Sequence, residues 1–130
     1  MEDLLKQGRC DFPSGQVLMK IDSLDMTDEH RAQIAEAVIA ANTEAVVITH
    51  GTGTMDKTAQ YLAARIYDKT VILTGAMRPY SLGRSDASFN VGGALIAAQS
   101  LPFGVYGVMN GRIFTAETLR KNTETGRFDD

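Results

Sequence analysis

Three short polar stretches hold the residue types from which a reactive site is built. In His50-Gly51-Thr52-Gly53-Thr54 a hydroxyl sits between two glycines, directly after an apolar run and before a helix-forming one. At such a junction the free backbone N–H groups and the positive end of the helix dipole favour a carboxylate or a phosphate. The plainer reading is a tight strand-to-helix connection with Thr54 as the helix cap. Thr74-Gly75-Ala76-Met77-Arg78-Pro79 and Asp22-Ser23-Leu24-Asp25 are the other two stretches. A phosphate-binding loop fails at the first of the three. Gly51 to Thr58 contains Gly-x-Gly and then Lys57-Thr58, but Asp56 stands where a second glycine must precede the lysine, and it adds negative charge beside the phosphates.

Single residues say less. His50 is of the right type for a general base, yet before a tight glycine turn it equally suits a hydrogen bond to the backbone. Arg78 and Arg84 suit an anion, but loop arginines are ordinarily solvated or paired with a carboxylate such as Asp86. Lys121 on its own reads as a surface charge, and Ser23 on its own carries no signal.

These loops need a frame. A chain of 130 residues, 44% apolar and 22% charged, has the size and balance of one globular domain. Thirteen basic against sixteen acidic side chains leave a net charge of −3, which is not the footprint of a nucleic-acid or anionic-membrane binder. The expected partner is a small molecule or a protein. Cys10 is the single cysteine, so no internal disulfide forms, and with only His30 and His50 to join it a zinc site would need carboxylates to fill its shell, so no metal is expected. Met1-Glu2-Asp3-Leu4-Leu5 is acidic where a secretory signal is basic, and no apolar run approaches the ~18 residues of a membrane span. A cytoplasmic protein is the expectation.

The hydrophobic pattern supplies the elements. Glu2 to Gln7 reads as a short helix stopped by Gly8, and Gln16 to Ile21 as a strand entered from the turn Pro13-Ser14-Gly15. Ile34, Ala37, Val38 and Ala41 recur at helical spacing and predict a helix from Thr27 to Asn42. Ala45 to Thr49 and Thr70 to Thr74 are short β-branched runs of the kind buried on both faces of a parallel sheet. Helices are predicted over Met55 to Tyr67 and Ala87 to Ser100, and a further strand over Gly104 to Met109. Strand and helix thus alternate three times, which predicts a single α/β domain with a doubly wound, mainly parallel sheet of flavodoxin or Rossmann type. In such sheets ligands bind beyond the carboxyl ends of the strands, where all three polar stretches fall.

Taken together, Val47-Ile48-Thr49-His50-Gly51-Thr52-Gly53-Thr54-Met55, Leu73 to Pro79 and Arg84-Ser85-Asp86-Ala87-Ser88-Phe89-Asn90 resemble the bacterial-type L-asparaginase family. Val108-Met109-Asn110-Gly111 and Arg120-Lys121 fit as well, so the similarity covers nearly the whole of residues 1–130. The likeness is to short, single-domain asparaginase-like proteins without the family's C-terminal domain. It implies hydrolysis of the side-chain amide of asparagine, and sometimes glutamine, without a cofactor and through an acyl-enzyme on a threonine, in a homo-oligomer. By match of motif Thr52 is the family's second catalytic threonine and Lys121 its lysine partner. Ser23 matches the residue that holds the substrate α-carboxylate, the Gly51 backbone lines the pocket, and Ala76 contacts the leaving amide through its carbonyl. The chemistry suits these types: a threonine hydroxyl needs a base or polarising partner, and glycine-loop amides are donors for an oxyanion.

Two departures qualify the resemblance. Gly53 stands where the family has an aspartate that grips the substrate ammonium, and Asp25 and Asp56 are the carboxylates nearby in sequence. The family's opening strand and Thr-Gly-Gly-Thr-Ile segment, with its first threonine, has no counterpart, since Glu2 to Gly8 already matches the following helix. The domain is therefore expected to be incomplete at its N-terminus, through a shortened start or completion by another subunit. A non-catalytic homologue that keeps the amino-acid pocket is the rival reading. A nucleotide-binding α/β domain is the third.

Overall fold

A computed structural model describes residues 2–10, 25–78, 83–122, 125 and 127–128. In chain order its elements are α1 (Glu2–Gln7), α2 (Asp28–Ala40), β1 (Ala45–Thr49), a 3-10 turn (Thr52–Thr54), α3 (Met55–Ala63), β2 (Thr70–Thr74), α4 (Ala87–Ser100), β3 (Gly104–Met109), β4 (Arg112–Thr115), β5 (Lys121–Asn122) and β6 (Arg127–Phe128). The expected strand at Gln16–Ile21 and the turn before it lie outside the described residues.

The main sheet has the order β1-β2-β3-β4, with β1, β2 and β3 parallel and β4 antiparallel. Side chains alternate along each strand and build two cores. Val71, Leu73 and Val105 pack beneath Ile34 and Val38 of α2 and Leu62 of α3. Ile72 and Val108 point the other way, against Ala94, Ala97 and Ala98 of α4. Helices thus cover both faces, as the doubly wound reading requires. The topology adds a feature no hydrophobic pattern encodes. Going from β1 to β2 to β3 the chain steps one strand in the same direction each time, yet α3 lies on one face and α4 on the other. The two crossovers therefore have opposite hands, and one of them breaks the usual right-handed rule.

Three sequence expectations need correction. β2 is buried throughout, but β1 is only half-buried, because among the described residues it is the edge strand. α3 ends at Ala63, four residues before Tyr67, where Arg65 lies 3.5 Å over the Tyr61 ring and donates to the Tyr61 carbonyl. A cation there satisfies an orphan carbonyl at the helix end. Gly8 does not supply the left-handed stop of α1. Arg9 does, at φ 52°, with the Cys10 N–H bonded to the Leu5 carbonyl.

The β3–β4 hairpin turns on Asn110 and Gly111, both with positive φ (51° and 83°). That is the Asn-Gly chemistry of a two-residue turn. No helix among the described residues is long and apolar enough to cross a membrane.

Candidate functional site

The carboxyl ends of β1 and β2 are in register, Thr49 beside Thr74, so the loops that leave them start side by side. The His50 N–H donates to the Thr74 carbonyl at 2.8 Å, extending the ladder into the loops. Gly75 is required at this point. A Cβ on it would lie 2.3 Å from the His50 carbonyl oxygen. The close approach shapes an open cavity of about 300 Å³ lined by Thr49, His50, Gly51, Gly75, Ala76, Ala87 and Val91, with Leu4 of α1 across it. Small-molecule sites begin at about this size.

Thr52 opens the 3-10 turn directly after this wall and is half-buried. Its hydroxyl oxygen accepts a hydrogen bond at 2.9 Å from the Lys121 Nζ, a residue 69 positions away. The lysine is held by what surrounds it. Leu119 is fully buried, and Lys121 pairs across the small β5–β6 ladder with Phe128, whose buried ring packs 6.2 Å from that of Phe114. Of the residues singled out from sequence, Thr52 and Lys121 are thus in direct contact, while Gly51 and Ala76 line the neighbouring cavity. Gly53 is exposed in the 3-10 turn, and Ser23 lies outside the described residues.

Ala76 is held by a cluster that single-residue reading of the sequence misses. The Asp86 carboxylate accepts from the backbone N–H groups of Met77 (3.1 Å) and Arg78 (3.0 Å) and from the amides of Asn90 (2.9 Å) and Asn110 (2.8 Å). Asn90 also donates to the Gly75 carbonyl at 2.8 Å, and its own carbonyl receives the Asn110 N–H at 2.8 Å. The loop after β2, the start of α4 and the β3–β4 hairpin are therefore fixed to one another. The Ala76 carbonyl between these anchors has no hydrogen-bond partner among the described residues. The expected role of Asp86 as an arginine partner is thus overtaken by backbone and amide donors. Arg78 donates instead to the Gly83 carbonyl at 2.7 Å.

Burial of Asp86 acts to raise its pKa, but the donors from Asn110, Arg78, Met77 and Asn90 outweigh it and hold the carboxyl below its usual 3.8. A depressed folded-state pKa contributes stability above the unfolded value, and that stability is lost as pH falls through the folded value. Asp86→Asn puts an amide where only acceptors fit and should cost about 1–3 kcal/mol at pH 7. In chemical denaturation at several pH values, the gap between the two proteins should be complete at neutrality and close below the carboxyl's unperturbed 3.8. A gap that stays constant as the pH is taken well below that value would contradict the assignment.

His50 is not available as a base. Its Nδ1 lies 2.6 Å from the Gly51 carbonyl and its Nε2 lies 2.8 Å from the Thr58 hydroxyl. Burial first, and then the charge of Arg31, lower its pKa, against the opposing effects of the Gly51 hydrogen bond and Asp56. Of the two alternatives open in the sequence, the backbone contact is the one found. Among the described residues no group of three His, Cys, Asp or Glu side chains is placed to hold a metal ion.

Comparison with known proteins bears on this arrangement. Residues 2–129 match the family described as asparaginase, N-terminal. The chain is 37% identical over 117 residues to the probable periplasmic L-asparaginase of Haemophilus influenzae, covering 85% of this chain and 34% of that protein. It is 33% identical over 116 residues to the glutaminase-asparaginase of Acinetobacter glutaminasificans, covering 83% and 35%. The solved structure of the probable cytoplasmic L-asparaginase of Campylobacter jejuni superposes with a TM-score of 0.81 at 32% identity, over 92% of this chain and 40% of that one. The chain spans about a third of the length of these curated relatives.

Proposed function

Because this chain belongs to the asparaginase N-terminal family, we propose that it is an amidohydrolase releasing ammonia from the side-chain amide of L-asparagine, or of glutamine, with Thr52 and Lys121 as its catalytic pair. One observation carries the reading: the 2.9 Å contact between the Lys121 amine and the Thr52 hydroxyl beside a cavity at the sheet's carboxyl edge. Amide hydrolysis must take a proton from the attacking oxygen and return one to the departing ammonia. A water oxygen bonds to the side-chain carbonyl carbon and passes its proton through the Thr52 hydroxyl, with Lys121 as the proton partner of that hydroxyl, and the nitrogen takes a proton as its C–N bond breaks. Amides of the Gly51–Gly53 turn are the donors for the oxyanion. Ala76 offers its carbonyl to the leaving nitrogen, and Ser23 holds the α-carboxylate. No cofactor enters.

The proposal extends to a cytoplasmic homo-oligomer. Cytoplasmic placement is favoured by the name of the Campylobacter jejuni protein and opposed by that of the Haemophilus influenzae one.

Ammonia release from L-asparagine, followed beside calorimetric binding of the same amino acid, tests the reading. Release with saturation in asparagine is expected. Binding without release would favour the rival, a non-catalytic amino-acid-binding homologue. A second expectation concerns position 53, where no carboxylate faces the substrate ammonium. Gly53→Asp adds a charge-assisted hydrogen bond worth about 1.5–3 kcal/mol and should tighten asparagine about ten- to a hundredfold. An unchanged Kd would place the ammonium elsewhere.

A further inference from the structure

Arg31 is a charged residue on the apolar stripe of α2, three and four positions before the buried Ile34 and Ala35, and it is only 5% exposed. Its ion pair with Asp28, at 3.1 Å, is to a side chain that is 81% exposed. Burying a guanidinium is expensive, and a well-packed apolar side chain in its place is often neutral or stabilising. Packing alone therefore does not call for it.

The hydrogen bonds inward from Arg31 have a single possible direction. A guanidinium only donates and a carbonyl only accepts. Arg31 Nε donates to the Thr58 hydroxyl oxygen at 3.0 Å, and Thr58 is fully buried. The hydroxyl has one proton, and the His50 Nε2 stands 2.8 Å away to receive it. His50 Nδ1, at 2.6 Å from the Gly51 carbonyl, must carry the remaining ring proton. Every proton from Arg31 to Gly51 is assigned, and the imidazole is held in one neutral tautomer. Met26 Sδ lies 3.3 Å from Nε2 and 3.7 Å from the Thr58 hydroxyl, and as a distant, weak acceptor it does not compete with the imidazole nitrogen for the Thr58 proton.

We propose that Arg31, Thr58 and His50 are positioning residues: a one-way hydrogen-bond chain from α2 through α3 that fixes the plane of the Gly51–Thr52 peptide and so aims the Thr52 amide. In a trans peptide the C=O and the next N–H point in opposite directions. Drawing the Gly51 carbonyl toward the imidazole turns the Thr52 N–H away from it. The catalytic side of this statement rests on the amidohydrolase reading above, whereas the positioning of the peptide does not.

The test is nitrogen NMR of the His50 imidazole and of the Thr52 amide in the whole chain, with asparagine turnover measured on the same samples. The wild type should show Nδ1 protonated and Nε2 bare. Thr58→Val should mix the tautomers, move the Thr52 amide resonance and speed its hydrogen exchange about tenfold or more. Where turnover is measurable, kcat should fall by a similar factor with KM unchanged. Thr58→Ser, which restores the hydroxyl, should return every readout to the wild-type value. If Thr58→Val does not fold, Arg31→Met carries the same amide readout with the hydroxyl in place. A single unchanged tautomer and an unmoved Thr52 amide in these variants would overturn the proposal, as would failure of Thr58→Ser to restore them. A wild type that releases no ammonia would count against the hydrolase reading, while the NMR results would still decide on the chain of hydrogen bonds.

Discussion

Gly75→Ala should destabilise the protein by about 3 kcal/mol, the sum of an overpacked contact and a lost buried hydrogen bond. For a domain of this size that is a fall of roughly 10 °C in Tm. The new Cβ would meet the His50 carbonyl oxygen at 2.3 Å, and the atom it meets is backbone, which cannot swing aside as a side chain can. The Met55 methyl, at 3.3 Å, has room to give. Relief requires the two loops to part, which strains the bond from the His50 N–H to the Thr74 carbonyl. Gly51 and Thr52 follow His50 directly, so the same change should also weaken the site. Thermal melting followed by circular dichroism checks this. A Tm within about 2 °C of the wild type would show that the loops are not packed as described.

Lys121→Met should lower ammonia release by a hundredfold or more, the usual range for loss of a positioned proton-transfer group being about 10²–10⁴. Methionine keeps the apolar stem and removes the amine that reaches the Thr52 hydroxyl at 2.9 Å. Anchoring by Leu119 and Phe128 is untouched, so the fold should survive with little change in Tm. Asparagine binding should persist, because the cavity walls at Gly51, Gly75 and Ala76 do not include the lysine. A parallel loss of binding and melting temperature would assign Lys121 to structure instead.

Local chemistry makes much of this molecule legible. Runs such as Thr70 to Thr74 are β-branched-rich stretches too short for a helix, and β2 is where they place it. The motif segments around Thr52, Ala76 and Lys121 point to one site, and Thr52 and Lys121 meet in the fold. What escapes is non-local. Neither the opposite hands of the two crossovers nor the edge position of β1 is written in any window of residues. Asp86 reads as an arginine partner because its four donors come from three separate elements. Two signals are there to be read. Asn110-Gly111 after an alternating run announces a hairpin, and Arg31 interrupts the apolar stripe of its helix, the mark of a buried charge held for a purpose other than packing.

If Thr52 and Lys121 act as a unit, a double-mutant cycle on ammonia release will show it. Thr52→Val, Lys121→Met and the double variant should all fall to a similar low rate, because removing either member already disables the pair. Losses that multiply in the double variant, or release that survives Thr52→Val unchanged, would contradict it.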